Sequence, residues 1–196
     1  MRYLHKTSVV VALLGCTLAT PAFAASQTKG GLFSYNYAQF SFVDLDSGFN
    51  GFKIDGSFDM NPDLALTASY MNTDHSGHLN YDLLTFGLAY HKRLVDLPKS
   101  DIVLHGEFEH ASLDSTHASY VRRDDDSGLR FGATLRYQVQ KNLETFGDLS
   151  YSSLYNNDLA LTAGVNLAIN QQFSVVGAVE LSDDDMLLLG LRMQLK

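Results

Sequence analysis

The chain has little of what most site chemistry needs. Its single cysteine, Cys16, lies within the first 24 of 196 residues, so the part beyond Ala24 can form no disulfide and offer no thiolate nucleophile. No apolar run approaches the roughly 20 residues that a transmembrane helix requires. No stretch of useful length repeats its apolar residues at helical period. Positive charge is scarce: 14 Lys and Arg against 22 Asp and Glu leave a net charge of −8, which argues against a nucleic-acid partner. A P-loop, a dinucleotide fingerprint, a serine nucleophile elbow and a zinc-protease motif are all missing, so neither a cofactor nor a catalytic residue is expected.

What is present begins with an export signal. Arg2, His5 and Lys6 form a basic start, Val9 to Leu14 an apolar run, and Ala22-Phe23-Ala24 a small-x-small cleavage site. The expected division is a signal peptide over 1–24 and one domain over 25–196. Leu13-Leu14-Gly15-Cys16 is the alternative, a lipoprotein-like box in which Cys16 would carry the lipid.

Beyond the signal, polarity changes at almost every step. In Phe52 to Met60, the residues Phe52, Ile54, Gly56, Phe58 and Met60 fall on one face and Lys53, Asp55, Ser57 and Asp59 on the other, as period-two geometry requires of a strand. After Asn61-Pro62-Asp63 the alternation resumes, which predicts a hairpin. Ten such segments are predicted, near 33–45, 50–60, 64–73, 81–92, 101–113, 128–140, 143–154, 158–169, 173–181 and 186–195. Most match the roughly 9–11 residues with which a tilted strand crosses a bilayer. Asn61-Pro62-Asp63, Lys141-Asn142 and Asn170-Gln171-Gln172 read as tight turns on one side, and Asp74 to Asn80 and Asp114 to Ser127 as longer polar loops on the other. Arg93 to Ser100 is a longer connection on the tight-turn side.

The apolar faces carry no charge: Leu84, Phe86, Leu88 and Tyr90 are one row, and Leu187, Leu189, Leu191, Met193 and Leu195 another. Such faces turn toward lipid if the sheet closes in a membrane. Aromatic girdles are expected at Tyr35, Tyr37, Phe58, Tyr90, Tyr137 and Phe173 on the inner side, and at Phe52, Tyr70, Phe108, Phe131, Tyr151 and Tyr155 on the outer.

With its signal, the Tyr35-x-Tyr37 opening, the "GFNGFKIDGSF" second strand and the repeated amphipathic segments, the chain resembles the small outer-membrane β-barrel proteins of Gram-negative bacteria, porin-like and OmpA-barrel-like. The resemblance implies an all-β, antiparallel up-and-down barrel of ten strands, eight being the alternative count, with both termini in the periplasm. It implies contact with outer-membrane lipid and lipopolysaccharide, and with the barrel assembly machinery. Such barrels usually finish on an aromatic residue, whereas this chain finishes on Leu195 and Lys196.

The opposite faces gather charge. Strand parity assigns Lys53, Asp55, Asp59, His105, Glu107, Glu109, Arg130, Arg136, Glu144, Asp148, Glu180 and Arg192 to the lumen. Glu107 and Glu109 are expected to meet Arg130 or Arg136, with Glu144 and Asp148 approaching from the next strand. The lumen reads as a structural set of ion pairs, the alternative being a narrow path for ions or small solutes. His75, His78, His110 and His117 fall in or near the outer loops, with no diagnostic metal-ligand spacing and only a weakly metal-like His75-Ser76-Gly77-His78. Asp44, Asp46, Asp124 to Asp126 and Asp183 to Asp185 form acidic runs that keep those loops solvated, with Arg122 and Arg123 beside one of them. The functional expectation is a non-enzymatic barrel with a structural or adhesion-like role, its acidic loops open to an extracellular ligand.

Overall fold

Period-two patterning that leaves one face greasy and the other charged has few stable outcomes, and closure is one of them. The computed structural model describes residues 32–75, 79–117, 120–155 and 157–195. The expected signal segment with Cys16, the residue His78, and the side chains of His117, Arg122 and Arg123 lie outside the described residues.

Ten antiparallel strands follow in chain order: β1 Tyr37–Leu45, β2 Asn50–Asn61, β3 Leu64–His75, β4 Leu79–Arg93, β5 Ser100–His117, β6 Tyr120–Gln140, β7 Leu143–Ser152, β8 Asp158–Ala168, β9 Phe173–Leu181 and β10 Met186–Gln194. Each pairs with its sequence neighbours, and β1 closes on β10 from Tyr37 opposite Gln194 to Leu45 opposite Met186. The molecule is a closed ten-strand up-and-down barrel. β1 starts and β10 stops at one end of the barrel, the terminal end; the opposite one is the distal end.

The outward rows are open to the surroundings: Leu187, Leu189 and Leu191 are 51%, 59% and 48% exposed. Leu84, Phe86, Leu88 and Tyr90 on β4, and Leu129, Phe131, Leu135 and Tyr137 on β6, behave alike. A soluble β-protein would bury these rows and expose the charged ones, so the polarity is that of a lipid-facing barrel. Inside, glycine makes room where a large side chain crosses the bore. A Cβ on Gly132 would lie 2.4 Å from His105 Nε2, and one on Gly164 2.3 Å from Phe146 Cζ.

Three expectations need correction. The first strand begins at Tyr37, not near 33; residues 32–36 leave the sheet and turn into the terminal mouth. Tyr35 and Tyr37 therefore do not belong to a lipid girdle: Tyr35 is buried and the ring of Tyr37 lies under the Arg192 guanidinium, 4.0 Å from centroid to Cζ. Second, Asp114 to Ser127 is not a loop. β5 and β6 continue through it as a ladder reaching His117 opposite Tyr120, and β3 and β4 likewise extend to His75 opposite Leu79. Aspartate is a poor strand former in isolation, but a hairpin partner supplies the ladder that overrides the preference. Third, the interior is not uniformly polar. Val43, Met71, Val176, Ala178 and Leu188 form a buried cluster with Leu45, Tyr81, Leu83 and Met186 packed against it, toward the distal half.

Candidate functional site

Lumen positions are set by strand parity, and neighbouring strands then bring opposite charges to one height. At the terminal end Arg136 on β6 faces Glu144 on β7: Nε donates to Oε1 at 2.5 Å and Nη2 to Oε2 at 2.9 Å, a two-pronged contact between side chains that are both buried. The guanidinium also lies 4.5 Å from the Phe33 ring centroid and 4.7 Å from that of Tyr35. Tyr35 stacks on His91 at 3.7 Å, and His91 Nε2 is 3.2 Å from Asp59 Oδ1. Asp101, fully buried, accepts at Oδ2 from the Leu32 amide at 2.7 Å, the Phe33 amide at 3.3 Å and the Tyr35 hydroxyl at 3.2 Å. One carboxylate thus ties the segment Leu32 to Tyr35 across the mouth. Arg192 Nε donates to Gln39 Oε1 at 2.9 Å on the far wall.

Midway along the bore, His105 Nε2 lies 2.9 Å from Asp148 Oδ1, which also accepts from Thr134 Oγ1 at 2.6 Å. Lys53 Nζ is 3.2 Å from Asp55 Oδ1. Glu107 accepts from Thr67 Oγ1 at 2.9 Å and makes no ion pair within 4 Å among the described residues. Toward the distal half Arg130 bridges two acids, reaching Glu180 Oε2 at 3.4 Å and Glu109 Oε1 at 3.8 Å. Ser152 Oγ donates to Glu109 as well.

These residues enclose a cavity of about 280 Å³, lined among others by Lys53, Glu107, Arg130, Asp148, Glu180 and Arg192. Tyr35, Tyr37 and Arg136 stand at its terminal limit, and Leu83, Met186 and Leu188 at its distal one. Its size is well above the roughly 30 Å³ that one water occupies in the liquid. Among the described residues no group of three His, Cys, Asp or Glu side chains is arranged to hold a metal ion.

All the charged residues assigned by parity point into the bore or its wall, but the partners differ from simple strand opposition. Glu107 lies opposite Arg130 in the β5–β6 register yet bonds to Thr67, and it is Glu109 that approaches Arg130; Arg136 goes to Glu144. Sequence reasoning missed Phe33, His91 and Asp101. The last two share parity with Ala89 and with Val103, both inward, and that signal was available.

At the distal rim the acidic residues are acceptors in turns and in the outer parts of strands, not only solvated charges. Asp184 accepts from the Ser47 amide at 3.0 Å and its hydroxyl at 2.6 Å, joining the β1–β2 turn to the β9–β10 turn. Asp126 accepts from the Tyr155 amide, and Asp82 from the Tyr70 hydroxyl at 2.5 Å. His110 sits within β5, as the predicted strand over 101–113 has it, with Nδ1 2.9 Å from Ser127 Oγ. His75, at the end of β3, packs its ring 5.2 Å from that of Phe49.

A closed antiparallel cylinder, apolar outside and ion-paired within, defines the class: the fold is that of the outer-membrane β-barrels. Among solved structures it is similar to the KdgM porin, at 9% identity and a TM-score of 0.51 over 82% of this chain and 99% of that one. The same protein as "KdgM porin in complex with disordered oligogalacturonate" gives 8% identity and a TM-score of 0.50, again over 82% and 99%. Ail, the attachment invasion locus protein of Yersinia pestis, gives 12% identity and a TM-score of 0.45 over 81% and 95%. No protein-family model and no curated protein sequence matches the chain.

Proposed function

We propose that the protein resides in the outer membrane with its terminal end in the periplasm, and that it is a non-enzymatic barrel which works by presenting its acidic distal rim at the cell surface. Its lumen is a structural core of ion pairs. The observation that carries this reading is the filling of the bore: Leu32 to Tyr35 lies across one mouth on Arg136, Asp101 and His91, and Met71, Leu83, Met186 and Leu188 occupy the distal half. A ten-strand barrel has a bore that side chains can largely fill. The bonds by which Asp184 joins two turns and Asp126 of β6 holds the β7–β8 connection favour a rim with a defined shape, which suits recognition of a surface ligand better than a freely solvated fringe does.

The test pairs two measurements on the folded protein. Outer-membrane fractionation with gel mobility before and after boiling reports the inserted barrel, and planar-bilayer recording reports the lumen. Heat-shifted migration with a silent bilayer is the expected result. Stepwise conductance from the wild-type chain, altered by Glu109→Ala, would instead favour the narrow-channel reading, for which the charged cavity is the supporting feature.

A further inference from the structure

At the terminal end, where most turns are tight and polar, the β4–β5 connection runs from Leu94 to Lys99 and offers apolar side chains to its surroundings. Val95 is 93% exposed, more than any other large apolar side chain described, and Leu97 is 49% exposed. The loop is not frayed. Leu94 N donates to Ser100 O at 3.0 Å, Ser100 N to Leu97 O at 2.9 Å, and Gln138 N to Lys99 O at 2.8 Å. The last of these bonds sets the height of the loop's base, because the next residue, Val139, is the final apolar member of the outward row of β6. The exposed valine and leucine therefore belong to a loop whose base stands at the height where the outward row of β6 ends.

Their charged neighbours are mostly of one sign. Lys92, Arg93 and Lys99 are exposed and make no ion pair among the described residues, against two exposed acids, Asp96 in the loop and Asp63 on the adjoining β2–β3 turn, whose carbonyl accepts from the His91 amide at 2.8 Å. The acidic runs lie at the opposite end of the barrel. Apolar side chains bracketed by cations, at the height where a bilayer-facing surface ends, are the composition of an interfacial anchor: the apolar groups enter the boundary between headgroups and acyl chains, and the cations meet the negative surface.

We propose that the β4–β5 loop is a lipid-docking foot, in which Val95 and Leu97 seat in the headgroup region of the adjoining leaflet while Lys92, Arg93 and Lys99 bind the phosphates of anionic phospholipid. The inference needs the barrel to be in a bilayer but is independent of what the distal rim recognises.

The chain contains no tryptophan, so Val95→Trp is a sole indole reporter, and Phe86→Trp on the outward row of β4 is its control. Both variants are refolded into vesicles of phosphatidylcholine and of phosphatidylcholine mixed with phosphatidylglycerol. The expected result is that Trp at Val95 emits at shorter wavelength than in the unfolded chain, is quenched by lipid brominated near the headgroup, and resists acrylamide. All three effects should grow with phosphatidylglycerol. Adding Lys92→Gln, Arg93→Gln and Lys99→Gln should remove that lipid dependence. Free access of acrylamide at Val95 in both vesicles, with the Phe86 reporter still quenched by lipid, overturns the foot and leaves the loop to a protein partner. Equal burial in both lipids overturns the anionic part of the assignment. A Phe86 reporter in water overturns the bilayer reading itself.

Discussion

Arg136 and Glu144 show what an individual residue does in this barrel. Both are desolvated, and each is the other's compensation at 2.5 and 2.9 Å. Glu144→Gln leaves the guanidinium unpaired in the bore and should lower stability by about 3–5 kcal/mol, the range for stripping one member from a buried pair. Replacing both by Met should recover most of that loss, because neither charge then remains to be solvated. Urea titration of the folded barrel in detergent or vesicles, read by gel mobility, measures each variant. Asp101 offers a second case. Three donors from Leu32, Phe33 and Tyr35 converge on one of its oxygens, so Asp101→Ala should free that segment. Amide hydrogen exchange at Leu32 and Phe33 should accelerate while the strand amides keep their protection; unchanged exchange there would show that the ring contacts alone hold the segment.

The strands make a different kind of statement, since every outward position answers to the same lipid. Leu88, in the middle of the β4 row, is 45% exposed, and Leu88→Arg should destabilise the vesicle-inserted barrel by about 2–4 kcal/mol if it lies near the midplane. Equilibrium refolding in urea with preformed vesicles checks it. The β5–β6 hairpin runs well beyond the point where β7 joins β6 at Arg130. Joining Leu113 to its partner Asp124 through Asn-Gly should therefore leave heat-shifted migration intact. These strands were legible because a half-apolar sheet writes its geometry as a period of two, and all ten were readable, though β5 and β6 run four and eight residues further at their distal ends than the pattern showed. Two parts were not. "LFSYNY" alternates like a strand, with Phe33, Tyr35 and Tyr37 in phase, and nothing local reveals that Asn36 Oδ1 takes the Asp59 amide at 2.6 Å and the chain turns inward. The stack of Tyr35 on His91 joins residues through that path outside the sheet, which strand counting does not encode. Parity did identify which charges face the bore. It could not choose Glu109 over Glu107 for Arg130, because that choice depends on Thr67, two strands along the same wall with only Gly87 between it and Glu107.

At the scale of the whole molecule, the two ends differ in chemistry. The distal rim is acidic and laced by its own carboxylates, whereas the terminal end carries Lys92, Arg93, Lys99 and Lys141. A cylinder so polarised has a preferred direction across any membrane whose leaflets differ in lipid. Its greasy circumference leaves no strand edge for a neighbour to extend, so association with other copies would have to proceed through the rim or through side chains in lipid. The segment over the terminal mouth also bears on how the fold is reached. Phe33 and Asp101 are 68 residues apart, and the Phe33 seat is completed by Arg136 of β6. That seat does not exist until β5 and β6 stand side by side, so the stretch that leaves the ribosome earliest among the described residues is among the last to come to rest. In a refolding time course, protection of the Leu32 and Phe33 amides should lag behind that of the β5–β6 ladder.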